Sequence, residues 1–213
     1  MRFTRCLSVA LIIAGIVAAM LWRQLPHDDA ARMQPGAIEI GFAQSMSRHH
    51  AQAIAMSQLM QDGRPSRLSL LARSVEGAQQ LELGEMRGWL RLWQLPLEAT
   101  NRSMDWMLAG DAAPDEELRR YLLDCQRSPT GMPGLASTDD LERLRSLDGD
   151  RRDRHFLQLL LAHHRGALPM ARFAAEQAQV PAVRELATRV VLEQAREIER
   201  IQLMLQALLT ARP

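Results

Sequence analysis

Two stretches of this chain, FAQSMSRHHAQAIAMS and FLQLLLAHHRGALPMA, share one skeleton, and that duplication limits the folds open to it. The first reads Glu39-x-x-Phe42-x-x-x-Met46-x-x-His49-His50-x-x-Ala53-x-x-Met56. The second reads Asp153-x-x-Phe156-x-x-x-Leu160-x-x-His163-His164-x-x-Ala167-x-x-Met170, each position 114 residues after its match. The segments that follow also correspond, Gln79-x-x-Glu82-x-x-x-Met86 against Gln194-x-x-Glu197-x-x-x-Ile201, now 115 apart. One residue was gained in the second turn.

Each copy is helical by pattern. At about 100° per residue, Phe42, Met46, His49, Ala53, Met56 and Met60 share a face about 80° wide, with His50 just beside it. The periodicity starts at Pro35, a residue suited to a first turn, and stops after Met60 at the breaker QDGRP. A second helix is expected over 66–93, ending before Pro96. Pro114, Pro129 and Pro133 cut the stretch that follows, leaving short helices at NRSMDWMLAG and PDEELRRYLLDCQ. STDDLERLRSL reads as a helix capped by Ser137 or Thr138. Long helices are expected over 150–179 and 182–209, parted at Val180–Pro181.

Two copies of a helical hairpin naturally make a four-helix bundle. The expected fold is therefore all-α: two duplicated hairpins, short helices in the central connector, and an N-terminal apolar helix. Residues 36–213 form the bundle domain, with repeat one at 36–95, the connector at 96–149 and repeat two at 150–210. Aromatic residues make up only 4 % of the chain, so strand-forming material is scarce.

The first 25 residues form a separate segment, joined by a linker at 26–35. Arg2 and Arg5 precede an apolar run from Cys6 to Trp22, which Arg23 ends. Its length is at the short limit for a span, and Trp22 suits an interfacial anchor; Val17 and Ala19 give a weak cleavage pattern. The two readings are a single-pass membrane anchor with an extracytoplasmic domain, favoured by length, or a cleaved signal that leaves a secreted or periplasmic domain. Both export the rest of the chain. A formal net charge of +1 gives no field to attract nucleic acid, and none is expected as a partner. Cys6 and Cys125 suggest neither a disulfide framework nor a cysteine-rich metal site.

The paired histidines raise the chemical question. Adjacent residues on a helix point about 100° apart, so one packing partner cannot bury both rings. Two hairpins packed antiparallel could bring His49, His50, His163 and His164 toward one region. Buried imidazole nitrogens need partners, which a metal ion or an acid from a neighbouring helix would provide. Glu82 and Glu197 are the obvious acids, and Glu39 and Asp153 head the two repeats; all four are candidates to orient the ligands. Glu-x-x-His occurs nowhere, which argues against a carboxylate-bridged di-iron centre. Imidazole with thioether suits copper, and Cu(I) in particular. Met46, one turn before His50, is the best-placed thioether, with Met56 and Met170 further candidates. Met104 and Met107, one turn apart, are read as connector packing.

These residues resemble the repeated signature of the domain of unknown function 305 (DUF305) family. The paired segments QQLELGEMRGWL and EQAREIERIQLML, and GMPGLAS before the second copy, fit it too. The resemblance spans Glu39 to Leu209. It implies a ferritin-like four-helix bundle, exported in bacteria, and copper binding, since some members are periplasmic copper-binding proteins of the CopM type. Leu160 and Ile201 stand where the first repeat has Met46 and Met86, and Leu135 stands where the family often has methionine.

The expected function is thus an exported metal-binding protein, with copper buffering or resistance foremost and a metal ion as partner. The alternative is a metal-independent structural or interaction module whose histidines are satisfied in the core. No nucleophile–base arrangement is readable, so an enzyme has least support. Self-association is left open.

Overall fold

The computed structural model describes residues 34–101 and 103–210. The expected N-terminal anchor or signal, and nearly all of the linker, lie outside the described residues. Among the described residues no helix is long and apolar enough to cross a membrane.

Four long helices carry the bundle: α1 (Ala37–Leu59), α2 (Ser69–Leu92), α5 (Gly149–Gln177) and α6 (Pro181–Thr210). The connector holds a 3-10 turn (Asp105–Leu108), α3 (Glu116–Arg127) and α4 (Thr138–Ser146). The architecture is the all-helical one expected. Helix α1 starts two residues after Pro35, because Gly36 takes the cap position and donates its N–H to Glu39 Oε2 at 2.8 Å. Ser137 caps α4, and its hydroxyl accepts from Asp140 N. Pro181 is the first residue of α6, where its missing N–H costs nothing. NRSMDWMLAG closes into a single 3-10 turn, too short a stretch to reward an α-helix between its flanking breaks.

The helices of each hairpin pack on one another, and α1 packs on α5. Helices α2 and α6 approach each other less closely than α1 and α5 do. The core is split. One apolar cluster takes Phe42 and Met46 from α1, Met86 and Leu90 from α2, Met170 and Ala174 from α5, and Leu186 and Val190 from α6. The other takes Ala53 and Met56, Leu71 and Val75, Phe156 and Leu160, and Ile201 from the same helices in turn. On each helix the buried strip changes cluster at a polar residue: His49 and His50, Gln79 and Glu82, His163 and His164, or Gln194. A polar layer therefore crosses the middle of the bundle. Burying two apolar ends around it supplies the stabilisation against which the polar layer is held.

The repeats are tied reciprocally. Glu39 Oε1 accepts the backbone N–H groups of Gln179 (2.5 Å) and Val180 (3.1 Å), in the turn of the second hairpin. Asp153, its counterpart, accepts the Ser66 hydroxyl at 2.6 Å and the Arg67 N–H at 3.1 Å, in the turn of the first. Each acid takes donors from the turn that leads into the opposite hairpin's second helix.

Candidate metal centre

All four histidines of the two pairs are fully buried. Helices α1 and α5 cross at this level, so the His49 and His163 rings face each other with centroids 3.7 Å apart and planes tilted by 41°. The other two rings turn toward the flanking helices. His50 Nε2 lies 2.7 Å from Glu82 Oε2 of α2, and His164 Nε2 lies 2.6 Å from Glu197 Oε2 of α6. His163 Nε2 lies 3.0 Å from the carbonyl oxygen of His49.

These acceptors set the tautomers. A carboxylate or carbonyl oxygen accepts only, so Nε2 of His50, His163 and His164 carries the donated proton. The Nδ1 of each neutral ring is then a bare lone pair. None of the four Nδ1 atoms has a hydrogen-bond partner, and neither does His49 Nε2. Burial first, and the neighbouring imidazoles next, hold His49 and His163 well below the ordinary imidazole range. Both rings are neutral near pH 7, the state a metal requires of imidazole.

The same layer contains Gln79 and Gln194, 3 % exposed, with both side-chain amide atoms of each unpartnered. Glu82 Oε1 is also buried without a partner. Unmet polar groups of this kind cost about 1–3 kcal/mol each, so their concentration in one layer is a marked local cost. The glutamines were visible in the sequence only as members of the repeat. Their spacing, one helical turn before each histidine-bonded glutamate, was the available signal.

The carboxylates divide by role. Glu82 and Glu197 hold the imidazoles of His50 and His164. Glu39 and Asp153 hold turn backbones about ten residues from the histidines along the helix, roughly 15 Å away at 1.5 Å per residue. Their place is in the connection of the hairpins. Met46 and Met170 belong to the apolar cluster on one side of the polar layer, and Met56 to the cluster on the other. Met104, Met107 and Met132 are also buried in the first cluster.

Among the described residues, no three His, Cys, Asp or Glu side chains converge on one point as a ready-made metal cage. The geometry shows why. Two imidazoles spend Nε2 on carboxylates, and the central pair stacks ring on ring. Cys125 offers no thiolate: burial pushes its thiol up to about 11. What the layer presents is a set of unpartnered imidazole nitrogens between apolar clusters that contain methionine. Such a set fits a soft cation of low coordination number better than a tetrahedral four-histidine centre.

A strap closes the layer on the α1–α5 side. Ala136 N donates to Gln52 Oε1 at 2.7 Å, and Gln52 Nε2 donates to Ala136 O at 2.9 Å. Arg48 donates to Thr130 O. Pro133 and Gly134 press on α5 so closely that a Cβ on Gly166 would lie 2.0 Å from Pro133 O. A Cβ on Gly134, whose φ is +83°, would lie 2.3 Å from Ala162 O. Glycine is thus required at both positions, and GMPGLAS owes its composition to this contact. Tyr121 completes the seam by donating to Gly166 O at 3.1 Å.

Solved structures share this architecture. A DUF305 protein of Streptomyces coelicolor is 30 % identical, with a TM-score of 0.68 over 83 % of this chain and 96 % of that one. A DUF305 fragment from Deinococcus radiodurans is 25 % identical, with a TM-score of 0.61 over 82 % and 99 %. CopM in its Cu(II)-bound form is 21 % identical, with a TM-score of 0.55 over 79 % and 96 %, a likeness of fold. A comparison with curated proteins gives no match. The model of the domain of unknown function DUF305 matches residues 39–205, which takes in both hairpins and the polar layer. The chain belongs to the DUF305 family.

Proposed function

We propose that this is an exported copper-binding protein that buffers the ion in the polar layer of its bundle. The observation that carries the reading is the set of buried imidazole nitrogens without partners: Nδ1 of His49, His50, His163 and His164, and Nε2 of His49. Glu82 and Glu197 keep the outer rings in the tautomer that presents Nδ1, and burial keeps His49 and His163 unprotonated. Met46, one turn from His50, supplies the nearest thioether in the sequence, with Met56 and Met170 on neighbouring turns of the two histidine helices. A copper ion would bring to these groups a soft centre with affinity for both nitrogen and thioether sulfur. The strap over α1 and α5 covers the layer on that side. CopM, of the same fold, has been crystallised with Cu(II), Cu(I) and silver, which favours a soft-metal role. Export rests on the arginine-flanked apolar N-terminus and on the Streptomyces relative, which is named as a secreted protein.

Titration of the full chain with Cu(I) against a competing chelator tests the reading. The wild type should bind at least one equivalent about 100-fold more tightly than a variant with His49, His50, His163 and His164 replaced by alanine, with helicity checked by circular dichroism. Equal affinities would overturn it. The metal-independent module is favoured by one observation: three of the four imidazoles already have an oxygen partner. It predicts a melting temperature unmoved by copper.

A further inference from the structure

The covered and uncovered sides of the polar layer are unlike. The strap seals α1 and α5, whereas α2 and α6 stand further apart and carry the acids. The Glu197 side chain, bonded to His164, is 17 % exposed, and that of Glu82, bonded to His50, is 8 % exposed. Glu197 thus reaches from a buried imidazole toward solvent, while Glu82 stays buried with its Oε1 unpartnered. Glu193 lies one turn from Glu197 on α6 and is itself exposed. Its carboxyl is raised by partial desolvation and then by the charges of Glu82 and Glu197, so all three carboxylates share one neighbourhood across the two helices. Arg189 and Arg196 oppose that shift, but Arg189 is engaged with Glu85 of α2 at 2.6 Å. Around Glu193 itself the charges that act are Glu82 and Glu197 against Arg196 and the already engaged Arg189.

The same two helices carry buried polar groups with nothing to bind. Gln194 falls between Glu193 and Glu197 in sequence and Gln79 precedes Glu82 by one turn. Both amides are about 97 % buried and unpartnered, and so is Glu82 Oε1. Unpartnered amide and carboxylate oxygens, in the same polar layer as the imidazole lone pairs, suit the passage of a cation.

We propose that the mouth between α2 and α6 is the route by which metal cations reach the histidine layer, with Glu193 steering them in and Glu82, Glu197, Gln79 and Gln194 lining the descent. The inference rests on the metal-binding reading above. Glu193 acts on the approaching charge and makes no contact in the bound state, so it governs association more than dissociation.

Stopped-flow tryptophan quenching on mixing the full chain with aqueous Cu(II) reads the association rate. Glu193→Gln should slow association about two- to fivefold at low ionic strength, and Glu193→Arg about tenfold or more, with dissociation unchanged. The difference should shrink at high salt. Glu117→Gln, which removes a carboxylate from the connector, should leave the rate as it was. Saturable binding at equal rates for wild type and both Glu193 variants would overturn the route and leave the metal-binding reading intact. Absence of wild-type binding both to Cu(II) here and to Cu(I) in the chelator titration would overturn both.

Discussion

The two apolar ends of the bundle derive from one repeat and are packed by different side chains. Where α1 begins, Met46 and Met86 belong to the cluster beside the polar layer, with Met104, Met107, Met132 and Met170 in the same cluster. At the other end the counterparts are Leu160 and Ile201, packed with Phe156 and Leu157 beside Met56 and Met60. The layer between the ends is nearly symmetric: a histidine bonded to glutamate at 2.7 Å in one half and at 2.6 Å in the other, with a bare glutamine in each. Duplication thus accounts for the imidazoles and carboxylates, while most thioethers were gained or kept at one end. A nitrogen site common to both halves, with sulfur help from one, is the chemistry that difference supports.

The contrast can be broken first at the strap. Gly166 and Gln52 are equivalent in the repeat, and both meet the strap, one by close contact and one by two hydrogen bonds. Gly166→Ala should be the more damaging, by about 3 kcal/mol or more, because the added carbon has no room beside Pro133. Gln52→Ala should cost about 1 kcal/mol, since its site is partly open to water. Urea denaturation of both variants gives the comparison.

The two glutamates come next. Glu82→Ala and Glu197→Ala each strand an imidazole N–H in the core, at about 1–3 kcal/mol, and the loss should be larger for the more buried Glu82. Thermal melts of the metal-free protein measure it. The thioether asymmetry predicts a smaller effect of opposite sign in the two halves. Met46→Leu should weaken Cu(I) binding about tenfold, equivalent to about 1.4 kcal/mol, and Leu160→Met should leave it unchanged or strengthen it. Equal weakening by both would show that sulfur is not the reason for the difference.

A pH scan probes what the halves share. His49 and His163 are held below the ordinary value of 6.5 by burial, so in the folded state they stay neutral where the unfolded chain takes up protons. Below pH 6.5 the unfolded state therefore binds more protons, and stability falls as pH drops. Their contribution is complete above that pH. Metal-free melting temperatures between pH 5 and 7.5 should decline on the acid side, and a variant with both positions changed to phenylalanine should decline less.

The helices and their order were legible because apolar periodicity and capping act within a few residues of chain. The duplication then implied the bundle and placed the histidines at one level. Glu82 and Glu197 could be named as histidine partners because helical hairpins set two faces opposite each other. The capping role of Glu39 and Asp153 was not legible: it joins Glu39 to residues 140 and 141 positions away, and local pattern carries no trace of that contact. Nor was the strap, because the need for glycine at Gly134 and Gly166 arises only when two distant backbones meet. Arg152 is similar. It is 1 % exposed, and its guanidinium donates to Asp62 and to Leu59 O, about 90 residues earlier in the chain.

The central claim is that three buried imidazoles present an unprotonated Nδ1 to a soft ion. Nitrogen-resolved magnetic resonance of the histidine rings tests it on the full chain, before and after one equivalent of Cu(I). The account predicts Nε2–H tautomers for His50, His163 and His164 in the metal-free protein, and Nδ1 shifts in the histidine layer when copper is added. Nδ1–H tautomers at the start, or ring nitrogens that copper leaves unmoved, would contradict it.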